Sequence, residues 1–171
     1  MLFTEGKIGR VLLRNRSIRS AAFEGMCPGN KDSDNLVKYH TEVAAGGIGM
    51  TTVAYAAVAK SGLSFPHQLL LTRDEIPALK RLTDAIHREG AAAAIQIGHG
   101  GQMANKSVSG VCLAPTGGFN LYGPTVPRTI TLPEIKELVK DFGAAARIAS
   151  EAGFDVVEVH AGHGYLISQF L

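Results

Sequence analysis

The chain contains few of the residues that mark secreted, metal-binding or nucleic-acid-binding proteins. Its 171 residues include 2 cysteines and no tryptophan, and only 6% are aromatic. Cys27 and Cys112 stand far apart and form no Cys-x-x-Cys pair, which favours a reducing compartment over a disulfide framework or a zinc site. The 17 Lys and Arg residues are scattered and the net charge is +2, which argues against binding to nucleic acid. We expect both thiols to be inert.

The sequence also predicts no membrane-spanning helix and no secretion signal. Residues 1–7 have no apolar core of the signal-peptide type. The stretch 43–59 is uncharged and approaches the length of a membrane span, but glycines interrupt it. We interpret this stretch as a buried strand with its flanking loops, and we expect a cytoplasmic protein that does not bind membranes.

Strand and helix patterns alternate along most of the chain. A hairpin is predicted at about 3–13, and apolar strands follow at about 17–22, 48–53, 92–97 and 154–160. Helices are predicted at 33–45, after a capping box at 72–75, and after a second capping box at 131–134. The predicted core face of the last helix comprises Ile135, Leu138, Val139, Phe142, Ala146 and Ala149. This alternation predicts right-handed βαβ units and a parallel sheet whose apolar strands are covered on both faces.

The predicted fold class is α/β, with parallel (βα) units that form the first half of a TIM (β/α)8 barrel. The whole chain, residues 1–171, is expected to be one domain with an amino-terminal β-hairpin. A small open sheet of Rossmann or flavodoxin type is the alternative, but it would usually carry a phosphate-binding Gly loop after its first strand. Residues 21–25 stand there instead, with no Gly-x-Gly-x-x-Gly. The half-barrel is therefore favoured.

Polar residues gather directly after the last predicted strand. His160, His163 and Tyr165 lie there, where barrels and open α/β folds place catalytic groups. The two histidines could donate hydrogen bonds to one substrate oxygen, bind a metal as neutral imidazoles, or be ordinary turn residues. A long Gly- and Pro-rich segment, 98–128, follows the third strand, and such long loops are often functional.

Three segments resemble the Old Yellow Enzyme family of FMN-dependent oxidoreductases, also called NADH:flavin oxidoreductases. Residues 7–16 are similar to the family's amino-terminal hairpin and the Asn-Arg sequence after it. Residues 96–102 resemble its Gln-Leu-x-His-x-Gly-Arg motif. Residues 160–171 resemble its His-Gly-Ala-His-Gly-Tyr-Leu-x-x-Gln-Phe-Leu motif almost residue by residue. The chain is thus identified as the amino-terminal half of a member of this family.

The resemblance implies FMN as the cofactor and NADH or NADPH as the reductant. Small residues let the backbone approach a flavin ring closely, and an amide at a strand end can hydrogen-bond the pyrimidine edge of the ring. The implied cofactor-binding residues are Ser20, Ala21, Ala22, Tyr55 and Gln96.

The resemblance also implies an ene-reductase reaction, in which a hydride passes from NAD(P)H through FMN to an activated alkene. His160 and His163 would bind the carbonyl oxygen of an α,β-unsaturated substrate such as an enone, where negative charge builds up. Tyr165 would protonate the α-carbon as a general acid. These three are the expected catalytic and substrate-binding residues, and no metal ligands are expected. His99 is expected to orient its loop or lie near the flavin rather than act as a base.

Several positions depart from the family pattern. Gln102 stands where the family usually has Arg, Ala54 where Glu is common, and Ala21 where the first strand has Pro. The family's phosphate-binding strands and an Arg beside the flavin belong to its second half, which we do not expect in this chain. Two other functions therefore stay open. One is a truncated, non-catalytic half-barrel that acts only by association, as a homo-oligomer through exposed strand edges; the weaker one is a metal-dependent hydrolase.

Overall fold

The computed structural model describes residues 1–121 and 123–171. Its strands are β1 Gly6–Ile8, β2 Val11–Leu13, β3 Ile18–Arg19, β4 Met50–Ala57, β5 Ala92–Gly98, β6 Leu113–Ala114, β7 Arg128–Thr129 and β8 Val156–Val159. Its α-helices are α1 Asp34–Ala45, α2 Ile76–Arg88, α3 Lys106–Ser109, α4 Leu132–Glu151 and α5 Leu166–Phe170. Short 3₁₀ turns occupy Pro28–Asn30, Lys60–Gly62, Arg73–Glu75 and Gly101–Met103.

A parallel sheet in the order β3-β4-β5-β8 forms the centre of the fold, and α1, α2 and α4 lie in the connections between its strands. Every residue of β4 is buried, as expected for an inner strand covered on both faces. β1 and β2 form a separate antiparallel hairpin. The predicted α/β class, with parallel (βα) units and an amino-terminal hairpin, is confirmed.

The strands of the sheet begin and end at different residues from those predicted. β3 keeps only two residues of the predicted 17–22, because residues 20–22 leave the edge of the sheet. β8 is likewise shorter than the predicted strand 154–160. Both are outer strands of this sheet, so fewer ladder hydrogen bonds hold their ends. The inner strand β4 instead continues past residue 53 to Ala57.

One predicted capping box is present and the other is not. Thr131 accepts a hydrogen bond from the Glu134 amide, and the Glu134 carboxylate accepts one from the Thr131 amide. The box predicted at 72–75 is wrong, because the Thr72 side chain makes no capping hydrogen bond. The Glu75 carboxylate is buried and accepts a hydrogen bond from the Asp32 amide at 3.0 Å. A contact 43 residues away has therefore replaced the local cap.

The main core lies between the sheet and the helices. Leu79, Leu82 and Ile86 of α2 pack with β5 and with Ala149 of α4 in one buried cluster. Each fully buried Leu or Ile contributes about 1.5–3 kcal/mol relative to an exposed one. Val139 does not belong to this core, contrary to its predicted position, since it is 67% exposed.

Val139 instead lines an apolar groove of about 370 Å³ between α4, β8 and α5. The apolar groove is formed by Ile130, Ile135, Leu138, Val139, Phe142, Val159, Leu166, Ile167, Phe170 and Leu171. Val159 of β8 is 52% exposed, which is unusual for a residue in an apolar barrel strand.

The long segment after β5 is not a structureless loop. It contains a 3₁₀ turn, α3 and the two-residue strands β6 and β7, which pair with each other. The uncharged stretch 43–59 comprises the end of α1, a turn and the buried strand β4, as predicted. Within residues 1–121 and 123–171, no helix is long and apolar enough to cross a membrane.

Candidate active site

A cleft of about 290 Å³ opens at the carboxyl ends of the sheet strands. Because parallel strands end at the same edge of a sheet, residues far apart in the sequence meet there. The cleft is lined by Ala21, Ala22, Phe23, Ala54, Tyr55, Phe65, Gln96, His160, His163 and Tyr165. Every predicted site residue except Ser20 is therefore in its lining. Ser20 is exposed directly after β3 and is not part of the lining, although its chain neighbour Ala21 is.

A bulge in β4 explains why two consecutive residues of this strand line the cleft. Successive side chains of a regular strand point to opposite faces. The pairing of β4 with β5 shifts register between Val53 and Ala56, which is typical of a β-bulge. Ala54 and Tyr55 both reach the cleft for this reason.

Gln96 is held by an acidic partner that the sequence analysis did not assign to it. Its Nε2 donates to Glu158 Oε1 at 2.6 Å, and the two residues are register partners in β5 and β8. The amide side chain is nearly buried, at 8% exposure of the residue. Its carbonyl oxygen and second N–H are the groups that a ligand in the cleft can use.

The two histidines contact each other at the mouth of the cleft. His163 Nδ1 lies 3.3 Å from His160 Nε2, so one of these nitrogens donates to the other. His163 has a φ of 57° and Gly164 a φ of 71°, and this left-handed turn brings the second ring back over the first. Among the described residues, the other nitrogen of each ring makes no hydrogen bond and is available to a ligand.

The surroundings of His160 favour the neutral form of its imidazole. Burial lowers the pKa of its imidazole, the neighbouring His163 lowers it further, and Glu158 opposes this change. A neutral imidazole can still donate one hydrogen bond to a substrate oxygen.

The Tyr165 ring contacts the rings of His160 and Tyr55. Its ring meets His160 edge-on with centroids 4.9 Å apart, and its centroid is 5.2 Å from that of Tyr55. The turn that carries it is held by the Leu166 amide, which donates to the His99 carbonyl at 3.0 Å. The position of Tyr165 thus depends on the end of β5.

His99 is buried and fixes the loops around the cleft rather than lining it. Its Nδ1 accepts from the Gly101 amide at 3.1 Å, so the ring proton is on Nε2, which donates to Ser61 Oγ at 3.0 Å. Burial lowers the pKa of His99 to about 4. The ring packs on Gly62, where a Cβ would come within 2.7 Å of it. These contacts place it in the loop-orienting role rather than that of a base.

Glu24 is a site-supporting residue that the sequence analysis missed. Its carboxylate is 3% exposed, lies 2.8 Å from Arg19 Nη1 and 3.3 Å from His40 Nε2, and accepts from the Ala54 amide at 3.2 Å. It therefore ties the segment after β3 to the bulge of β4. The signal available in the sequence is a single acid between Phe23 and a glycine in an otherwise apolar segment.

In the part of the chain that the structure describes, the side chains form neither a metal site nor a reactive-thiol site. Those residues contain no cluster of three or more His, Cys, Asp or Glu side chains that could hold a metal ion. Cys27 and Cys112 are both buried. Burial raises the pKa of Cys27 to about 12, and Asp32, Glu24 and Glu75 add to this, so the thiol stays protonated and unreactive.

Comparison with known proteins finds one family over the whole chain and relatives over 99% of it. The sequence model of the NADH:flavin oxidoreductase / NADH oxidase family matches residues 1–171. The 4,4'-dithiodibutanoate disulfide reductase of Rhodococcus erythropolis is 44% identical over 171 residues, which are 99% of this chain and 42% of that protein. The NADPH dehydrogenase of Listeria monocytogenes serotype 4a (strain HCC23) is 42% identical over 177 residues, covering 99% of this chain and 51% of that protein.

A solved structure matches the fold as well. The Old Yellow Enzyme homologue from Zymomonas mobilis superposes with a TM-score of 0.89 and 28% identity, over 99% of this chain and 50% of that one. The chain thus spans about half the length of the curated relatives it matches, and its sheet corresponds to the first half of their barrel. The predicted half-barrel and the predicted family are both confirmed. The chain belongs to the NADH:flavin oxidoreductase / NADH oxidase family, the Old Yellow Enzyme group, which works with FMN and NAD(P)H.

Proposed function

We propose that this chain provides the substrate-activating half of an NAD(P)H-dependent flavoenzyme that reduces the C=C bond of α,β-unsaturated carbonyl compounds. The observation that carries the proposal is the meeting of Gln96, His160, His163 and Tyr165 around one cleft at the carboxyl end of the sheet. Hydrogen-bond donors and a proton donor at one small-molecule site are what reduction of a polarised alkene requires.

The lining of the cleft fits the isoalloxazine ring of FMN. Ala21, Ala22 and Ala54 contribute only methyl side chains to the lining, so a flat ring can lie close to the backbone at these residues. The Gln96 amide, oriented by Glu158, offers both a donor and an acceptor to the pyrimidine edge of the ring. When bound, FMN supplies two-electron redox chemistry by accepting and passing on a hydride.

The histidine pair would hold the substrate carbonyl. Each ring has one nitrogen that makes no hydrogen bond among the described residues, and both rings line the cleft. Two donors on one carbonyl oxygen stabilise the negative charge that develops there as the β-carbon is reduced. While it is neutral, the ring that donates in the mutual contact has no second N–H, so this contact would break when both rings donate to the carbonyl.

Tyr165 would supply the proton that completes the reduction. Its phenol lies beside His160, so a carbonyl held by the histidines places the adjacent α-carbon near the phenol. General acid catalysis of this kind contributes roughly 10²–10⁴-fold to a rate. The Tyr165 O–H bond breaks as the new C–H bond forms.

A disulfide substrate is the second candidate. It is favoured by the 44% identity to a protein named for reduction of 4,4'-dithiodibutanoate. In that reaction two electrons break the S–S bond, and Tyr165 would protonate a departing thiolate. The histidines would then bind a carboxylate of the substrate rather than a carbonyl.

The test combines cofactor retention with a choice of substrates. The protein is incubated with FMN, desalted, and its visible absorption spectrum is recorded, followed by NADPH-dependent turnover of 2-cyclohexen-1-one and of 4,4'-dithiodibutanoate. Gln96→Ala is expected to weaken FMN retention about 2–10-fold, the value of one or two hydrogen bonds. Asn35→Ala, an exposed amide on α1, is the matched control and should retain FMN like the parent.

Tyr165→Phe separates the two parts of the proposal. It is expected to leave FMN retention unchanged and to slow reduction of 2-cyclohexen-1-one at least about 100-fold. A colourless parent protein would contradict the flavin assignment for this chain. Turnover of the disulfide alone would favour the second candidate.

A further inference from the structure

Three buried polar atoms have no part in the function proposed above. They are Tyr55 Oη, Ser64 Oγ and Gln68 Nε2, and we call them the polar trio. Within residues 1–121 and 123–171, none of the three has a hydrogen-bond partner in normal geometry. A buried polar atom without a partner destabilises the folded state. Ser64 and Gln68 are hydrogen-bonded neighbours and both act on the Tyr55 hydroxyl, so the three atoms form one unsatisfied group that packing alone does not explain.

The bulge of β4 places Tyr55 at the centre of this arrangement. The residue is only 5% exposed, and its ring centroid lies 5.2 Å from that of Tyr165 and 6.0 Å from that of His160. Burial raises the pKa of the Tyr55 phenol, the Tyr165 hydroxyl raises it further, and the side chains of Ser64 and Gln68 lower it. The Tyr55 and Tyr165 rings are therefore in contact, and Tyr165, Ser64 and Gln68 are the side chains that act on the buried Tyr55 hydroxyl.

The orientation of the Gln68 amide sets the direction of the hydrogen bonds. Gln68 Oε1 accepts from the Ser64 amide at 2.7 Å and from the Phe65 amide at 3.3 Å. The carbonyl oxygen is therefore engaged, and the NH₂ group is the end that remains for Tyr55. Two donors, Gln68 Nε2 and the Ser64 hydroxyl, can point at Tyr55 Oη, which leaves the Tyr55 proton free to be donated to Tyr165.

We propose that Tyr55 is a positioning residue that donates its hydroxyl to Tyr165 Oη and so directs the Tyr165 proton into the cleft. The inference rests on the proposed role of Tyr165 as the proton donor. When the Tyr165 O–H bond breaks and the substrate C–H bond forms, the Tyr55 hydrogen bond stabilises the phenolate left on Tyr165. Water in the open cleft then returns a proton to Tyr165.

The first test needs neither flavin nor turnover. The sequence has 4 tyrosines, which can be labelled with ¹³C at Cζ and assigned by single Tyr→Phe changes. The Cζ resonance reports hydrogen bonding of each phenol oxygen. Tyr55→Phe is expected to move the Tyr165 resonance, because the donor to its oxygen is lost.

Two further variants complete this test. Tyr39→Phe makes the same chemical change on α1, against Arg19, and should leave the Tyr165 resonance in place. Ser64→Ala is expected to move the Tyr55 resonance. If Tyr55→Phe does not fold, this variant tests the proposed hydrogen bonding of Tyr55 in its place. The inference would be overturned if the Tyr165 chemical shift were unchanged in Tyr55→Phe, or if the Tyr55 chemical shift were unchanged in Ser64→Ala.

The second test is a double-mutant cycle in flavin-loaded protein. Tyr55→Phe is expected to lower kcat for 2-cyclohexen-1-one about tenfold with little change in KM, the effect of one charge-assisted hydrogen bond. In the Tyr165→Phe background the same change should have no further effect. Equal losses in both backgrounds would show a merely structural role. If the parent reduces no alkene, the proposed function fails while the resonance test of Tyr55 still gives its own answer.

Discussion

At the scale of single residues, His99 shows how burial sets the pH range in which the fold is stable. The ring is 1% exposed and its pKa is lowered to about 4, whereas an unfolded chain has the ordinary value of 6.5. Between these two pH values the unfolded chain binds a proton that the folded chain does not. The free energy of unfolding therefore falls as the pH drops from about 6.5 to about 4.

This dependence can be measured by urea denaturation at a series of pH values. His99 is expected to account for a loss of about 3 kcal/mol across that window, because each pKa unit corresponds to about 1.4 kcal/mol. His99→Gln should flatten the dependence, and His67→Asn, which changes an exposed histidine, should leave it intact. A dependence that survives His99→Gln would show that another group carries it.

Residues differ in how far the sequence alone could assign them. His160, His163 and Tyr165 stand in a compact motif after a strand, so their meeting at one cleft was predictable. The buried carboxylate of Glu24 was not predictable, because its partners Arg19 and His40 come from other elements.

At the scale of elements, local signals succeed when no distant group competes with them. The capping box at Thr131 forms as predicted, because the Glu134 carboxylate binds nearby Arg128 and still accepts from the Thr131 amide. The similar pattern at Thr72 fails, because Glu75 is buried against the amide of Asp32.

The two threonines give a matched pair of substitutions. Thr131→Ala is expected to lower the free energy of unfolding by about 1 kcal/mol, through the loss of an N-cap. Thr72→Ala removes the same atoms from a residue whose side chain makes no capping hydrogen bond and should cost less than about 0.5 kcal/mol. Urea denaturation of both variants measures the difference. Equal losses would contradict the assignment of the caps.

The bulge of β4 is the element-scale feature that most affects the site. The sequence predicted a regular strand over 48–53. In that prediction Ala54 and Tyr55 follow the strand as loop residues. The structure extends the strand to Ala57 and interrupts its register between Val53 and Ala56. Because of this irregularity, Tyr55 lines the cleft and its hydroxyl belongs to the polar trio.

At the scale of the whole molecule, the apolar groove is the surface on which we expect association. It lies beside β8, an outer strand of the sheet, and Phe170 and Leu171 in it are 51% and 95% exposed. This groove adjoins the outer strand β8, so the proposed self-association through exposed strand edges would cover it.

Size-exclusion chromatography with light scattering over a range of concentrations tests this proposal. Phe170→Asp should shift the protein toward the monomer, since a carboxylate in the contact would lose its hydration. Phe3→Asp is the control, because Phe3 is 84% exposed but lies outside the groove. A parent protein that is monomeric at every concentration would contradict the proposal.

The sequence by itself determined the alternation of strands and helices, the parallel sheet, the family and most of the residues around the cleft. These follow from local periodicity and from short motifs, in which the informative residues are close together along the chain. Only the tertiary structure decided the bulge at Tyr55, the pairing of Gln96 with Glu158, the buried carboxylate of Glu24 and the groove beside β8. Each of these depends on contacts between elements distant in sequence, where burial and competition between hydrogen-bond partners override local preference.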